Sequence, residues 1–141
     1  MTFHKIIFLL SILALNVCNA QSLEVVGQFL QLNCLPIVDA EVLINKNDTM
    51  IQSTKTDSTG QFVIYLDYNV KYQIFIYKKG FKVSHFDAYI KWPHNEKMED
   101  WSIDVIIPAV EFDSVKMEYE IKKPILNIYY SKKEKKPSGK Y

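Results

Sequence analysis

The chain has 141 residues, with 17 lysines and no arginine against 16 aspartates and glutamates, for a net charge of +1. That length is one domain, and the near balance of charge leaves no basic footprint for nucleic acid and implies no acidic substrate. Without arginine, the planar fork often used to grip phosphate or carboxylate is missing.

Lys5 and the apolar run "IIFLLSILAL" (Ile6 to Leu15) are followed by Cys18-Asn19-Ala20. This predicts a signal peptide over residues 1–20, cleaved after Ala20, with an apolar run too short to span a bilayer comfortably. The mature chain then carries no transmembrane segment. The alternatives are a retained membrane anchor, against which stands the short apolar run, and a lipid on Cys18, against which stands Val17, where bacterial lipoboxes usually carry Gly, Ala or Ser. Once Cys18 leaves, Cys34 is alone and no intrachain disulfide forms. No base is signalled near it, so Cys34 reads as a buried structural thiol.

From residue 22 onward the pattern is β. Leu23, Val25 and Phe29 share one face of a first strand. Ala40, Val42 and Ile44 share a face of the next, which Lys46-Asn47-Asp48 ends as a turn. Met50 to Thr56 reads as a half-exposed strand. Asp57-Ser58-Thr59-Gly60 then reads as a hairpin turn, with Asp57 capping it and Gly60 supplying the permissive φ. Phe62, Ile64 and Leu66 alternate after it. Asp67-Tyr68-Asn69 turns the chain into Tyr72, Ile74 and Ile76, and Lys79-Gly80 breaks that strand. Lys82 to Ile90 is a less regular strand, Trp92 to Glu99 a polar loop, and Trp101, Ile103, Val105 and Ile107 alternate cleanly. Short strands with frequent turns predict an antiparallel sandwich or barrel. Val115 to Ile121 alternates again, and Ile125 to Tyr130 adds a last, edge strand. The lysine-rich residues 131–141 read as a disordered tail.

Chemistry-bearing patterns are scarce: there is no HExxH, CxxC, GxSxG or phosphate-cradling glycine loop. His85 and His94 lack the converging partners a metal needs. Glu96, Glu99, Asp100 and Asp104 lack the dense spacing of a calcium loop and read as a solvated loop. No cofactor and no catalytic or metal-ligating residue is expected. One stretch stands out for binding. Trp92 in "IKWPHNE", with Tyr89 and the nearby Tyr77, Phe81 and Phe86, offers a stacking surface for sugar, although aromatic-rich strands more often build core.

Several blocks in order resemble the carboxypeptidase regulatory-like family of transthyretin-like (prealbumin-like) domains. They are the V-x-G strand in "VVGQFL"; Pro36, Ile37, Ala40 and Val42 of a P-L-P-G-A-x-V segment; Thr56, Asp57, Gly60 and Phe62 of a T-D-x-x-G-x-F block; and Tyr72, Ile74, Ile76, Lys78, Gly80 and Phe81. The sequence departs from the pattern at Val38 and Asp39, where Pro-Gly is common. Lys123-Pro124-Ile125-Leu126-Asn127-Ile128 is similar to a C-terminal segment of stand-alone envelope versions of Bacteroidota type. The resemblance covers about two-thirds of the mature chain on this residue pattern. It implies an all-β, seven-strand Greek-key sandwich over residues 21–110, with residues 111–130 as a C-terminal extension. It also implies a docking or structural role. The related hydroxyisourate hydrolases use a histidine–arginine site that a chain without arginine lacks.

The expectation is therefore an exported, non-enzymatic module of the bacterial cell envelope, in the periplasm, on the outer-membrane surface or outside the cell. Its partner is an envelope protein, with a carbohydrate or peptidoglycan ligand as the alternative.

Overall fold

The computed structural model describes residues 21–111 and 124–141. The predicted signal peptide, Cys18 and the alternation from Val115 to Ile121 lie outside these residues. Nine strands are described: β1 Ser22–Gln31, β2 Glu41–Lys46, β3 Thr49–Lys55, β4 Gln61–Asp67, β5 Lys71–Tyr77, β6 Ser84–Tyr89, β7 Trp101–Ala109, β8 Asn127–Ser131 and β9 Lys136–Lys140. They form a three-stranded sheet in the order β4-β1-β7 and a six-stranded sheet in the order β3-β2-β5-β6-β8-β9. The expected all-β sandwich is present. Its first seven strands fall within residues 21–110, and β8 and β9 extend the larger sheet.

The period-two pattern explains which face each strand buries. Leu23, Val25 and Phe29 of β1, Phe62, Ile64 and Leu66 of β4, and Val105, Ile107 and Ala109 of β7 line the inside of the smaller sheet. Val42 and Ile44, Tyr72, Ile74 and Ile76, Phe86 and Ala88, and Ile128 line the inside of the larger one. Burying each large apolar side chain contributes about 1.5–3 kcal/mol, which suffices to hold a sandwich without a disulfide. Pairing is antiparallel except at two places. β1 runs parallel to β7, from Leu23 opposite Trp101 to Gln31 opposite Ala109, and β6 runs parallel to β8.

The turns follow their residues. Asn47 and Asp48 both have positive φ, 47° and 66°, and close a two-residue β2–β3 hairpin of the kind that twist favours. Residues 57–60 are a tight turn as expected, but not a hairpin. β3 belongs to the six-stranded sheet and β4 to the three-stranded one, so this turn is a corner between layers. Asp57 Oδ1 accepts from Thr59 N at 2.8 Å, Thr59 Oγ1 at 2.7 Å and Gln61 N at 2.9 Å. Gly60 has φ +74°, and a Cβ there would meet the Phe29 carbonyl oxygen at 2.6 Å. Just before the corner, the buried Thr56 hydroxyl donates to Ile37 O at 2.7 Å and accepts from Ala40 N at 2.9 Å.

Three expectations need correction. Residues 131–141 are not a disordered tail. Lys136–Lys140 form β9, which pairs with β8 from Asn127 opposite Lys140 to Ser131 opposite Lys136. Pro137 and Gly139 are tolerated because β9 is an edge strand, where proline costs no ladder bond. β8 is therefore an inner strand of its sheet rather than its edge. Cys34 is not buried; it is exposed. It has φ 65° in a turn closed by its own N–H on Gln31 O at 2.9 Å, and a turn at the end of the sandwich faces water.

Candidate functional site

The residues singled out for sugar stacking part company in the structure. Phe86 is core, and Phe81 packs edge-on to Phe29 at 6.4 Å. Trp92, a candidate for sugar stacking, is instead part of the core at 4% exposed. Its amide donates to Asn69 Oδ1 at 2.9 Å, and its indole N–H to Glu96 O at 3.3 Å. Tyr68 lies 4.7 Å from its ring and Tyr130 lies 5.0 Å away, edge-on. Trp92 is thus the centre of an aromatic clasp joining the β4–β5 turn, the β6–β7 loop and β8. The burial has a physical origin: Asn69 is held at φ 62° with its N–H on Ile90 O at 2.8 Å, and this brings the start of the loop under β8.

The clasp shifts two tyrosines. Tyr68 donates to Glu99 O at 2.7 Å, and burial first, then the Asp100 charge, pushes its phenol up to about 12. Tyr130 donates a short bond to a Glu96 carboxylate oxygen. That bond, more than desolvation, pushes Tyr130 up to about 12. Both phenols stay neutral and keep donating throughout the physiological range.

Tyr89 behaves differently. It is 40% exposed at the end of β6, beside Tyr129 of β8, which is 41% exposed. Lys71 Nζ sits 5.7 Å from the Tyr89 ring centroid, a cation–π contact. Tyr89, Lys91, Trp92, Tyr129, Tyr130 and Lys132 line an open cleft of about 720 Å³. The aromatic surface is therefore built from Tyr89 and Tyr129, with the clasp beneath it. Tyr129 was not singled out from sequence. The signal was available: period two along "NIYYS" puts Ile128 and Tyr130 inward and Tyr129 outward.

His85 is buried and stacks on Phe75 at 5.4 Å, while His94 is exposed in the loop. Glu96 is engaged by Tyr130, and Asp100 Oδ1 accepts from Ser22 N at 3.0 Å. Among the described residues, no group of three or more His, Cys, Asp or Glu stands where it could hold a metal ion. Also among them, no helix is long and apolar enough to cross a membrane.

No family model matches the sequence, and no curated protein matches it. The fold has solved counterparts. One is 3-chlorocatechol 1,2-dioxygenase from Rhodococcus opacus 1CP, with a TM-score of 0.51 at 9% identity over 67% of this chain and 61% of that one. Another is catechol 1,2-dioxygenase from Acinetobacter sp. ADP1, inhibited by bound mercury, with a TM-score of 0.50 at 11% identity over 79% and 60%. This chain thus spans about three-fifths of those enzymes' length, and the likeness is one of fold alone. A C-terminal fragment of the pilus adhesin SpaC from Lactobacillus rhamnosus GG also matches, at a TM-score of 0.46 and 8% identity over 67% and 47%.

Proposed function

We propose that this chain is an exported, non-catalytic β-sandwich of the bacterial cell envelope, a relative of the carboxypeptidase regulatory-like domains, which acts by holding a protein partner. The leader-like residues 1–20 support export. The ordered blocks from "VVGQFL" to Phe81 support the kinship. The observation that carries the binding role is the free edge of the larger sheet. Among the described residues β3 has no neighbour on its outer side, its residues are almost all exposed, and Met50 and Ile51 are 61% and 52% exposed. Such an edge offers a row of unpaired backbone donors and acceptors to an incoming strand. The opposite edge, β9, carries Pro137 and two lysines, a composition that discourages strand addition.

The test is a photo-crosslinker placed at Ile51 or Gln52 in intact cells. A discrete adduct with one envelope protein supports the reading; a smear or no adduct overturns it. A second reading, a carbohydrate module, is favoured by the exposed Tyr89 and Tyr129 over the cleft. Trp92→Ala is not a clean test of it, because that change removes a buried ring; Tyr89→Ala and Tyr129→Ala are.

A further inference from the structure

We propose that the cleft beside Trp92 binds an acidic glycan, one whose sugar rings carry carboxylates, with Tyr89 and Tyr129 stacking the rings and Lys91 and Lys132 pairing the acid groups. This rests on the carbohydrate reading above and names the class of sugar the cleft takes.

The strand register builds the aromatic part. Tyr89 of β6 and Tyr129 of β8 stand opposite one another, on neighbouring strands about 4.8 Å apart, and both rings reach solvent. Behind them Trp92 and Tyr130 meet edge-on at 5.0 Å, and Trp92 is pinned through both of its N–H groups, to Asn69 and to Glu96. The floor is therefore fixed before a ligand arrives, and a preformed site loses less to ordering on binding.

The charged part comes from lysines that read as a solvated tail in the sequence and are held in place in the fold. Ser131 and Lys136 pair across the end of β8 and β9, so Lys132-Lys133-Glu134-Lys135 forms a closed turn. Glu134 N donates to Ser131 Oγ at 3.3 Å, and Lys135 takes φ 55°. Lys132 of this turn lines the cleft together with Lys91, and both are exposed. Glu134 is engaged by Lys136 at 3.7 Å. Among the described residues, no carboxylate pairs with Lys91, Lys132 or Lys133. Glu96 is the one acid lining the cleft, and its carboxylate already accepts from Tyr130.

Charge and shape together select the ligand. The lysines draw anions and repel a cationic sugar or peptide. A small inorganic anion leaves the tyrosine faces bare, and a neutral sugar leaves the lysines without a partner. A uronic acid ring meets both needs: its C–H face packs on a tyrosine ring, and the carboxylate at its edge reaches a lysine. A bilayer surface is flat and fits a concave cleft poorly. Exposed ion pairs are individually weak and are screened by salt, so the stacking and the charge must act together.

The experiment measures binding of the purified protein to oligogalacturonate, to neutral xylo- and cello-oligomers and to phosphatidylglycerol vesicles, by calorimetry at low and high salt and by amide NMR shifts. The expected result is binding of oligogalacturonate that weakens as salt rises, with shifts on Tyr89, Lys91, Tyr129 and Lys132, and much weaker binding of the neutral series. The double variant Lys91→Gln/Lys132→Gln is expected to weaken it about tenfold, and Tyr129→Ala by about as much, while Tyr129→Phe retains it. All of these side chains are solvent-accessible, so the melting temperatures should match the parent's and lost binding is not lost folding. Neutral oligomers bound as tightly as the acidic ones, and unaffected by the lysine changes, overturn the acidic ligand and leave the carbohydrate reading standing. Oligogalacturonate binding that needs the lysines but survives Tyr89→Ala and Tyr129→Ala is diffuse charge attraction and overturns the site. Capture by the vesicles without binding of oligogalacturonate overturns it in favour of a membrane surface. No binding of any probe overturns both the acidic ligand and the carbohydrate reading.

Discussion

The ring of Phe62 occupies the place where a Cβ on Gly27 would stand. The two residues face each other across the β1–β4 pairing, both inside the sandwich, so the glycine's missing side chain is filled by its neighbour's aromatic ring. Gly27→Ala would push backbone and ring apart within a packed core. Overpacking of this kind costs about 1–3 kcal/mol. Urea titration should show a lowered midpoint, and the double variant Gly27→Ala/Phe62→Leu should recover part of it. No recovery would mean the ring is not the obstacle.

Gly60 and Gly80 make a matched pair. Both have positive φ, +74° and +92°, but a Cβ at Gly60 meets the Phe29 carbonyl oxygen while one at Gly80 meets nothing within 4 Å. Gly60→Val should therefore lose more stability than Gly80→Val. Each variant carries about 1–3 kcal/mol of left-handed strain, and Gly60→Val adds the clash with the corner. Equal melting temperatures would contradict the corner assignment.

Thr56 holds the entry to the same corner. Thr56→Val keeps the shape but leaves Ile37 O without the hydroxyl's hydrogen and Ala40 N without its oxygen. Leaving buried partners unpaired costs about 1–3 kcal/mol, and chemical denaturation of the variant should show a loss in that range.

Asp57 makes the corner pH-sensitive. The Thr59 hydroxyl bond first, then the Gln61 and Thr59 amides, hold its carboxyl below the ordinary carboxylate range. A carboxyl depressed in the folded state adds stability above its unfolded value, near about 3.9, and loses it as pH falls through the folded value. The melting-temperature gap between the parent and Asp57→Ala should thus be full at neutral pH and shrink below about pH 4. A gap that is constant from neutral pH to pH 2 would show that the charge contributes nothing.

Tyr130 should titrate late. With ring-labelled tyrosine, NMR should place its ionisation at about 12 in the parent. In Glu96→Gln it should return toward the ordinary value of about 10, because the acceptor charge is gone. An unchanged value would assign the shift to burial instead.

What sequence could and could not reveal divides along one physical line. Period-two alternation is local, so the inward faces of β1, β2, β4, β5 and β7 were legible residue by residue, and so was the Asp57–Gly60 turn. That the turn is a corner depends on where β3 and β4 find partners, which no local signal states. That Trp92 is a buried ring is not written locally, because Tyr68 and Tyr130, which cover it, come from distant segments. Pro137 and Gly139 looked like breakers, yet they sit in an edge strand where breakers do no harm.

The parallel β1–β7 ladder sets the order in which this molecule comes into being. The first strand is the centre of its sheet and waits for a partner that begins at Trp101. Closing so long a loop before any reward makes folding slow, in the millisecond-to-second range of non-local β topologies. An N-terminal piece emerging from a ribosome can therefore pair β1 on one side alone, with β4, and its other side stays open. Only when most of the chain is through does the sandwich have the pieces to lock.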